Sequence, residues 1–172
     1  MNIDLTGKVA LVTGGSRGLG REMVLGFAAA GPDVIIASRK LDACERLASE
    51  VETTTGRRAL PYACHVGRWD DIDQLVDAAY DHFGHVDVLV NNAGMAPLYP
   101  RLSAVTEELF DKVIGVNLKG PFRLGALIGE RMQEGSGGSI INISSIGAEH
   151  PTMTDIPYAA AKAGLNSLTK GF

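Results

Sequence analysis

The sequence predicts an α/β fold: a doubly wound parallel sheet with helices on both faces. Short apolar runs alternate along the 172 residues with stretches whose apolar residues recur at helical spacing. The apolar runs show no alternation with polar residues, which is typical of parallel strands that are buried on both faces. No internal repeat, low-complexity linker or block of charge divides the chain. We therefore expect residues 1–172 to form a single domain.

The first strand is the apolar run 8–15, which ends in glycine, and a helix follows at 20–31. The run 33–39 predicts the second strand, the amphipathic stretch 41–56 a second helix, and the less apolar run 58–66 a weaker third strand. The residues expected to face the core from the two helices are Met23, Val24, Phe27, Ala28, Leu41, Cys44, Leu47, Ala48 and Val51.

A third helix is predicted over 69–84, and the continuous apolar run 86–94 predicts the fourth strand. The run 137–145 predicts another buried strand, and the last helix is expected to begin near Ile156. The inward face of the third helix consists of Ile72, Leu75, Val76, Ala79 and Phe83.

The stretch 106–135 predicts a long helix between the fourth and fifth strands. Thr106 is expected to cap its start, with acidic residues in its first turn. We expect Gly120-Pro121 to interrupt it, because proline lacks the N–H that an α-helix uses.

Composition excludes several classes of protein. The chain has a net charge of −4 and no basic run, so nucleic acid is not an expected partner. It has no apolar run of spanning length and no secretory signal pattern, so we expect a cytoplasmic protein with no membrane partner. Cys44 and Cys64 lack metal or redox spacing and are expected to be packed, reduced thiols. His82, His85 and His150 also lack metal spacing, so no metal site is expected.

The first strand leads directly into "TGGSRGLG", in which Gly14, Gly18 and Gly20 are spaced G-x-x-x-G-x-G. A strand, a tight turn and a helix start aim backbone N–H groups and the positive end of a helix dipole at one point. That point favours a phosphate or diphosphate. At this place in an alternating chain, the turn predicts a dinucleotide site in a Rossmann-like fold.

The end of the second strand bears on which dinucleotide is bound. An acidic residue about 20 residues past the glycines would favour NAD. Here the sequence reads "ASRK", so Ser38, Arg39 and Lys40 stand there, with Arg17 in reach from the glycine turn. Cations suit a 2'-phosphate, which favours NADP over NAD. The alternative is that Arg39 and Lys40 belong only to a solvated loop.

Tyr158 and Lys162 are spaced i and i+4 in the last helix, so their side chains share one face. A nearby ammonium favours the phenolate form of a tyrosine. Such a tyrosine can give a proton to a carbonyl oxygen or take one from an alcohol. Alone, this pair is also compatible with a chance arrangement on a surface helix.

Five motifs in order resemble the short-chain dehydrogenase/reductase family. They are "TGGSRGLG", "NNAG" (91–94), "GVNLKG" with Asn117, "INISS" ending in Ser145, and "YAAAK" with Tyr158 and Lys162. The glycine turn and "ASRK" are most similar to the NADP-preferring branch of 3-oxoacyl-ACP reductases and gluconate 5-dehydrogenases. The resemblance covers essentially the whole chain and implies hydride transfer between a nicotinamide cofactor and a carbonyl or secondary alcohol.

The resemblance also implies individual roles. Tyr158 would be the general acid/base, Lys162 would lower its pKa and hold the nicotinamide ribose, and Ser145 would donate to the substrate oxygen. Asn117 would help to hold a water in a proton relay, or alternatively bond only to backbone within its helix. The implied cofactor-binding residues are Gly14, Ser16, Arg17, Gly18, Leu19, Gly20, Ser38, Arg39, Lys40, His65, Val66, Asn91, Ala93, Gly94, Tyr158 and Lys162.

Other residues have structural expectations or depart from the family. Thr13 and Asn92 are expected to tie the turns after the first and fourth strands together. His65 stands where the family usually has an acid beside the adenine. Its imidazole could still bond to or stack on adenine, or lie half-exposed at a strand end, whereas Val66 can offer backbone contacts.

The family continues beyond the tyrosine-lysine helix with further strands and a substrate lid, which this sequence lacks. We expect the sheet order 3-2-1-4-5, with the fifth strand at an edge. Two interpretations follow: a shortened reductase, or a catalytically weak NADP-binding module that acts in dimerisation or regulation. The resemblance implies a homodimer or homotetramer through the helices bearing Asn117 and Tyr158. The substrate is not predicted beyond a small carbonyl compound or alcohol.

Overall fold

The computed structural model describes residues 4–172. Its parallel strands form one sheet in the order β3-β2-β1-β4-β5. The strands are β1 (Val9–Thr13), β2 (Asp33–Ser38), β3 (Ala59–Ala63), β4 (Val88–Asn91) and β5 (Ser139–Asn142). Strand order, strand direction and the alternation with helices confirm the predicted fold class.

Helices cover both faces of this sheet. They are α1 (Gly18–Ala29), α2 (Leu41–Thr55), α3 (Trp69–Phe83), α4 (Glu107–Ile114), α5 (Gly120–Glu134) and α6 (Ile156–Gly171), with short 3-10 turns at Leu102–Ala104 and Ile146–Ala148. One apolar core lies between the sheet and the helices α3 and α5. A second core lies on the other face, against α1 and α2. All the residues predicted to face inward from α3 are buried.

The predicted helix over 106–135 is continuous, but its irregularity lies elsewhere than expected. Thr106 caps α4 as predicted, since its hydroxyl accepts from the Leu109 N–H at 3.2 Å. A π-helical turn at Gly115–Lys119 joins α4 to α5. The interruption expected at Gly120-Pro121 is not seen there: the helix continues through Pro121, and the irregular turn lies immediately before it, at Gly115–Lys119.

Two burial predictions also need correction. Leu41, expected to face the core, is 43% exposed at the first position of α2. The strand at 137–145, expected to be buried, is shorter and half open: Ser139 and Ile141 are exposed. Within residues 4–172, β5 pairs only with β4, so one of its edges and part of its faces meet no other element.

Candidate functional site

The glycine turn lies at the carboxyl end of β1 and needs glycine at three positions. Gly14 and Gly18 have φ of +63° and +54°, where side chains with a Cβ are strained. A Cβ on Gly20 would collide with the Gly14 carbonyl oxygen and lie 2.6 Å from the Asn92 side-chain nitrogen. The glycine turn and the start of α1 are therefore packed against each other without room for a side chain.

The turn after β4 is tied to the end of β1. The Thr13 hydroxyl donates to the Val90 carbonyl at 3.2 Å and accepts from the N–H groups of Asn92 and Ala93 at 3.0 and 3.1 Å. The Asn92 side chain donates to the Thr13 carbonyl at 2.9 Å. Both structural predictions are confirmed, and "NNAG" is held beside the glycine turn.

At the end of β2, hydroxyl groups join the glycine turn to the strand. Ser16 Oγ and Ser38 Oγ lie 2.8 Å apart, and Ser38 Oγ is 3.2 Å from Cys44 Sγ. Cys44 and Cys64 are both free and buried, as expected. The chain of contacts from Ser16 to Cys44 was not foreseen, because no local pattern links positions in a turn, a strand and a helix.

Three cationic residues are next to or near this hydroxyl pair in the sequence. Arg17, Arg39 and Lys40 are exposed, and none of them forms an ion pair within the described part of the chain. The nearest acid in sequence, Asp42, pairs with Arg46 at 3.0 Å instead. The charge at the end of β2 is therefore positive and not neutralised by the protein.

His65 and Val66 follow β3. The His65 ring accepts a hydrogen bond at Nδ1 from the Gly67 N–H at 3.1 Å, and the backbone N–H of His65 donates to the Asp71 carboxylate at 3.0 Å. These bonds fix a tight turn before α3. Val66 is buried, and its carbonyl lies so close to Gly120 that a Cβ there would collide with it.

Asn91 ends β4 and is buried. Its amide nitrogen donates to Asn142 Oδ1 on β5 at 2.9 Å. Asn142 in turn donates to Thr169 on α6 at 2.9 Å. The Asn91 side-chain oxygen has no hydrogen-bond partner within residues 4–172, which leaves a buried acceptor at the carboxyl edge of the sheet.

Asn117 lies in the π-helical turn and is fully buried. Its amide nitrogen donates to the carbonyls of Val113 and Met95 at 2.9 and 2.8 Å, and its oxygen accepts from the Met95 N–H at 3.2 Å. A Cβ on Gly94 would lie 3.1 Å from that oxygen and 3.9 Å from Lys162 Nζ. Gly94, Asn117 and Lys162 therefore meet at one place.

The Lys162 ammonium is buried at 4% exposure and donates to the Ile143 carbonyl at 2.6 Å. It lies 5.7 Å from the centre of the Tyr158 ring, one turn earlier on α6. Burial lowers the pKa of Lys162 below its ordinary value. Among the described residues, no carboxylate pairs with this ammonium.

Ser145 follows β5, two residues after the carbonyl that holds Lys162. Its hydroxyl oxygen accepts from the Gly147 N–H at 3.1 Å, so the hydroxyl hydrogen is left to donate. This bond also starts the short 3-10 turn at Ile146–Ala148.

The sequence of this chain matches a known family. The model of the short-chain dehydrogenase family matches residues 8–172. The chain belongs to the short-chain dehydrogenase family.

Individual relatives agree with this assignment. The chain is 39% identical over 167 residues to the short chain dehydrogenase/reductase astE of Aspergillus oryzae, covering 96% of this chain and 64% of that protein. It is 37% identical to the 3-oxoacyl-[acyl-carrier-protein] reductase FabG of Thermotoga maritima, covering 96% of this chain and 67% of that protein. The chain thus spans about two thirds or less of the length of these curated relatives.

A solved structure shows the same fold. A metagenomic short-chain oxidoreductase in complex with NADP is 33% identical, with a TM-score of 0.92 over 97% of this chain and 75% of that chain. No helix within residues 4–172 is long and apolar enough to cross a membrane.

The short-chain dehydrogenase motifs fall into two groups in the structure. The glycine turn and "NNAG" meet through Thr13 and Asn92, while Gly94, Asn117, Tyr158 and Lys162 meet beside the end of β5. One residue that sequence reasoning missed is Tyr99, whose hydroxyl oxygen accepts from the Ile156 N–H at 3.0 Å. No sequence signal announces it, because the partners are 57 residues apart.

Proposed function

We propose that this protein is an NADP-dependent oxidoreductase that transfers a hydride between the nicotinamide and a carbonyl compound or secondary alcohol. The observation that carries the proposal is the convergence of Gly94, Asn117 and the buried Lys162 ammonium, with the Tyr158 ring 5.7 Å from that ammonium. Burying an ammonium without a carboxylate partner is costly, and a site that uses its charge accounts for it.

The residues at the carboxyl edge of the sheet fit a dinucleotide. The Arg17 side chain, at the start of α1, caps none of the N–H groups of that helix. Gly14, Gly18 and Gly20 leave the turn free of Cβ atoms, and this combination favours a diphosphate. The unpartnered Asn91 oxygen is an acceptor that a ribose hydroxyl would satisfy.

The cationic end of β2 supports the choice of NADP. Arg17, Ser38, Arg39 and Lys40 would hold the 2'-phosphate, and the Ser38 hydroxyl is paired with that of Ser16. The remaining cofactor contacts that we propose come from Leu19, His65, Val66, Ala93 and Gly94, together with Tyr158 and Lys162.

When bound, the nicotinamide supplies or accepts the hydride. The chain itself manages the proton. We propose that Tyr158 protonates the carbonyl oxygen and that the Lys162 charge favours its phenolate form afterwards. The Ser145 hydroxyl would donate to the same oxygen as negative charge develops there.

The proposed role of Asn117 differs from those of Tyr158, Lys162 and Ser145. Both of its amide hydrogen atoms are bonded to backbone carbonyls, which favours the structural role that the sequence also allowed. A role in holding a water of a proton relay stays a prediction. We also propose that residues 1–172 form one dinucleotide-binding domain. A single cooperative unfolding transition would support this proposal.

The test mixes the chain with NADPH and a panel of ketones and aldehydes and follows the absorbance of the reduced nicotinamide. Tyr158→Phe should lower kcat by about 10²–10⁴-fold while NADPH still binds, as measured by its fluorescence. Tyr80→Phe is the control, because Tyr80 lies on α3 against Arg131. Equal turnover by Tyr158→Phe and the wild type would refute the proposed chemistry. Binding without turnover would instead favour the binding-module interpretation.

We also propose a homodimer through α5 and α6. An open apolar groove lies between these helices, lined by Leu118, Phe122, Gly164 and Leu168 among others, and Phe122 is 42% exposed. A second copy related by a twofold axis would bury both grooves. Leu168→Asp should halve the mass found by sedimentation velocity, whereas Leu98→Asp, in the segment after β4, should not. A wild-type monomer at high concentration would contradict this.

A further inference from the structure

Tyr99 stands out in the segment between β4 and α4. Of residues 92–112, Tyr99 alone is buried, while its neighbours Leu98 and Pro100 are exposed. Tyr99 lines a small cavity together with Pro97, Leu109, Val113, Asp155, Pro157 and Tyr158. Tyr99 and Tyr158 therefore border the same space.

The start of α6 explains why a hydroxyl is placed there. Asp155 occupies the N-cap position, but its carboxylate accepts from the N–H and hydroxyl of Thr152 at 2.7 and 2.9 Å and caps no N–H of the helix. Pro157 has no N–H to cap. The first N–H of the helix, at Ile156, is instead satisfied by the Tyr99 hydroxyl oxygen at 3.0 Å.

In the first turn of α6, Pro157 and Ala159 are buried, but the chain that leads into it is open. Residues 151–154 before it are exposed, and Ile156 is exposed as well. The anchor that follows, from Lys162 to the Ile143 carbonyl, lies one turn beyond Tyr158. The hydrogen bond from Ile156 to Tyr99 therefore fixes the end of the helix that carries Tyr158.

We infer that Tyr99 is a positioning residue that couples the segment after β4 to the helical turn bearing Tyr158. Its hydroxyl holds the start of α6, and Tyr99 also borders the cavity that Tyr158 lines. The catalytic consequence rests on the proposed function. The geometric claim does not, because it concerns only where the Tyr158 ring lies.

The test is Tyr99→Phe, which removes the acceptor and keeps the ring. We expect kcat to fall about tenfold with the KM for NADPH within twofold of the wild type, because the helix start shifts while the cofactor turn does not. In protein labelled with ¹³C in its tyrosine rings, the Tyr158 resonances should move. Amide exchange at Ile156 and Tyr158 should become faster. Tyr99→Leu, also without an acceptor, should reproduce these changes.

Tyr80→Phe is the matched control and should leave the Tyr158 resonances in place. If those resonances are unmoved in Tyr99→Phe, or if Tyr99→Phe no longer folds, the positioning role is overturned. If they move but the wild type turns over no carbonyl substrate, the positioning role stands and the proposed function fails. A fall in kcat with unmoved Tyr158 resonances would also count against positioning.

Discussion

β1 and β5 lie in the same sheet, but their surroundings differ. Every residue of β1 is buried, with β2 on one side and β4 on the other. In β5, Ser139 and Ile141 are exposed, and within the described chain only β4 pairs with it. The glycine turn follows the first of these strands, and Ser145 follows the second.

The turn after β1 and the site beside β5 are also held by different interactions. The turn after β1 is fixed by close backbone packing, as at Gly20, where the next helix leaves no room for a Cβ. Beside β5, the helix that carries Tyr158 is attached by single polar bonds, such as Lys162 to Ile143 and Ile156 to Tyr99. We call the closely packed turn, which is the proposed cofactor side, the platform, and the proposed proton-transfer side the adjustable side.

The largest expected effect tests the rigidity of the platform. Gly20→Ala should destabilise the protein by about 1–3 kcal/mol, because its Cβ would overlap the Gly14 carbonyl. The control is Gly26→Ala in the same helix, where a Cβ meets nothing within 4 Å. That change should stabilise by up to about 1 kcal/mol. Thermal or urea unfolding measures both, and equal effects of the two changes would remove the contrast between packed and open positions.

A second change tests charge on the same platform. Arg39→Asp should weaken NADPH binding about tenfold, or about 1.4 kcal/mol, and leave NADH binding within twofold. The reason is that only NADPH carries the 2'-phosphate. Lys112→Asp on α4 is the control, since Lys112 pairs with Glu108. Fluorescence titration of both cofactors decides, and equal losses for NADPH and NADH would contradict the assignment. Added salt should reduce the difference.

The smallest expected effect concerns the adjustable side and is a pH dependence. Burial lowers the pKa of Lys162 below its ordinary 10.5 in the folded protein. Between the lowered pKa and 10.5, the unfolded chain holds more protons on this lysine than the folded chain does. The free energy of unfolding therefore gains from this group as pH rises through that window.

Lys162→Met removes this contribution. The free energy of unfolding of the wild type minus that of Lys162→Met should rise with pH across the window. The same difference taken with Lys170→Met should be flat, because Lys170 is exposed near the end of α6. Urea unfolding at a series of alkaline pH values measures both. If the difference in unfolding free energy between the wild type and Lys162→Met fell with pH instead, the folded protein would favour the charged form of Lys162.

The sequence predicted the structure around β1 better than the structure around the edge strand β5. Apolar runs and helical periodicity depend on burial, so they placed the strands in order, and the boundaries moved mainly where strands give way to turns, as at Gly14 after β1. β5 was expected to be buried because its residues are apolar. Burial also requires a neighbouring element, however, and the composition of a strand does not reveal one.

Long-range polar contacts were the main omission. The bonds from Asn142 to Thr169 and from Ile156 to Tyr99 join residues 27 and 57 positions apart. Neither pair forms a motif, because each depends on how two segments meet after folding. Thr13 and Asn92 were foreseen only because the family resemblance suggested where the two turns meet.

The π-helical turn at Gly115–Lys119 has a mechanical consequence. Such a turn takes up one residue more than an α-helical turn of 3.6 residues. If these residues were wound as ordinary α-helix, everything beyond them would rotate by roughly 100° about the helix axis. Leu124, Ile128 and Met132, which α5 buries, would then swing away from the sheet. The π-helical turn takes up the extra residue, so both halves of the helix stay in phase with their separate neighbours. Deleting one residue from this stretch should therefore let it wind as ordinary α-helix with α5 still facing the sheet, whereas deleting one residue inside α5 should unseat the rest of that helix.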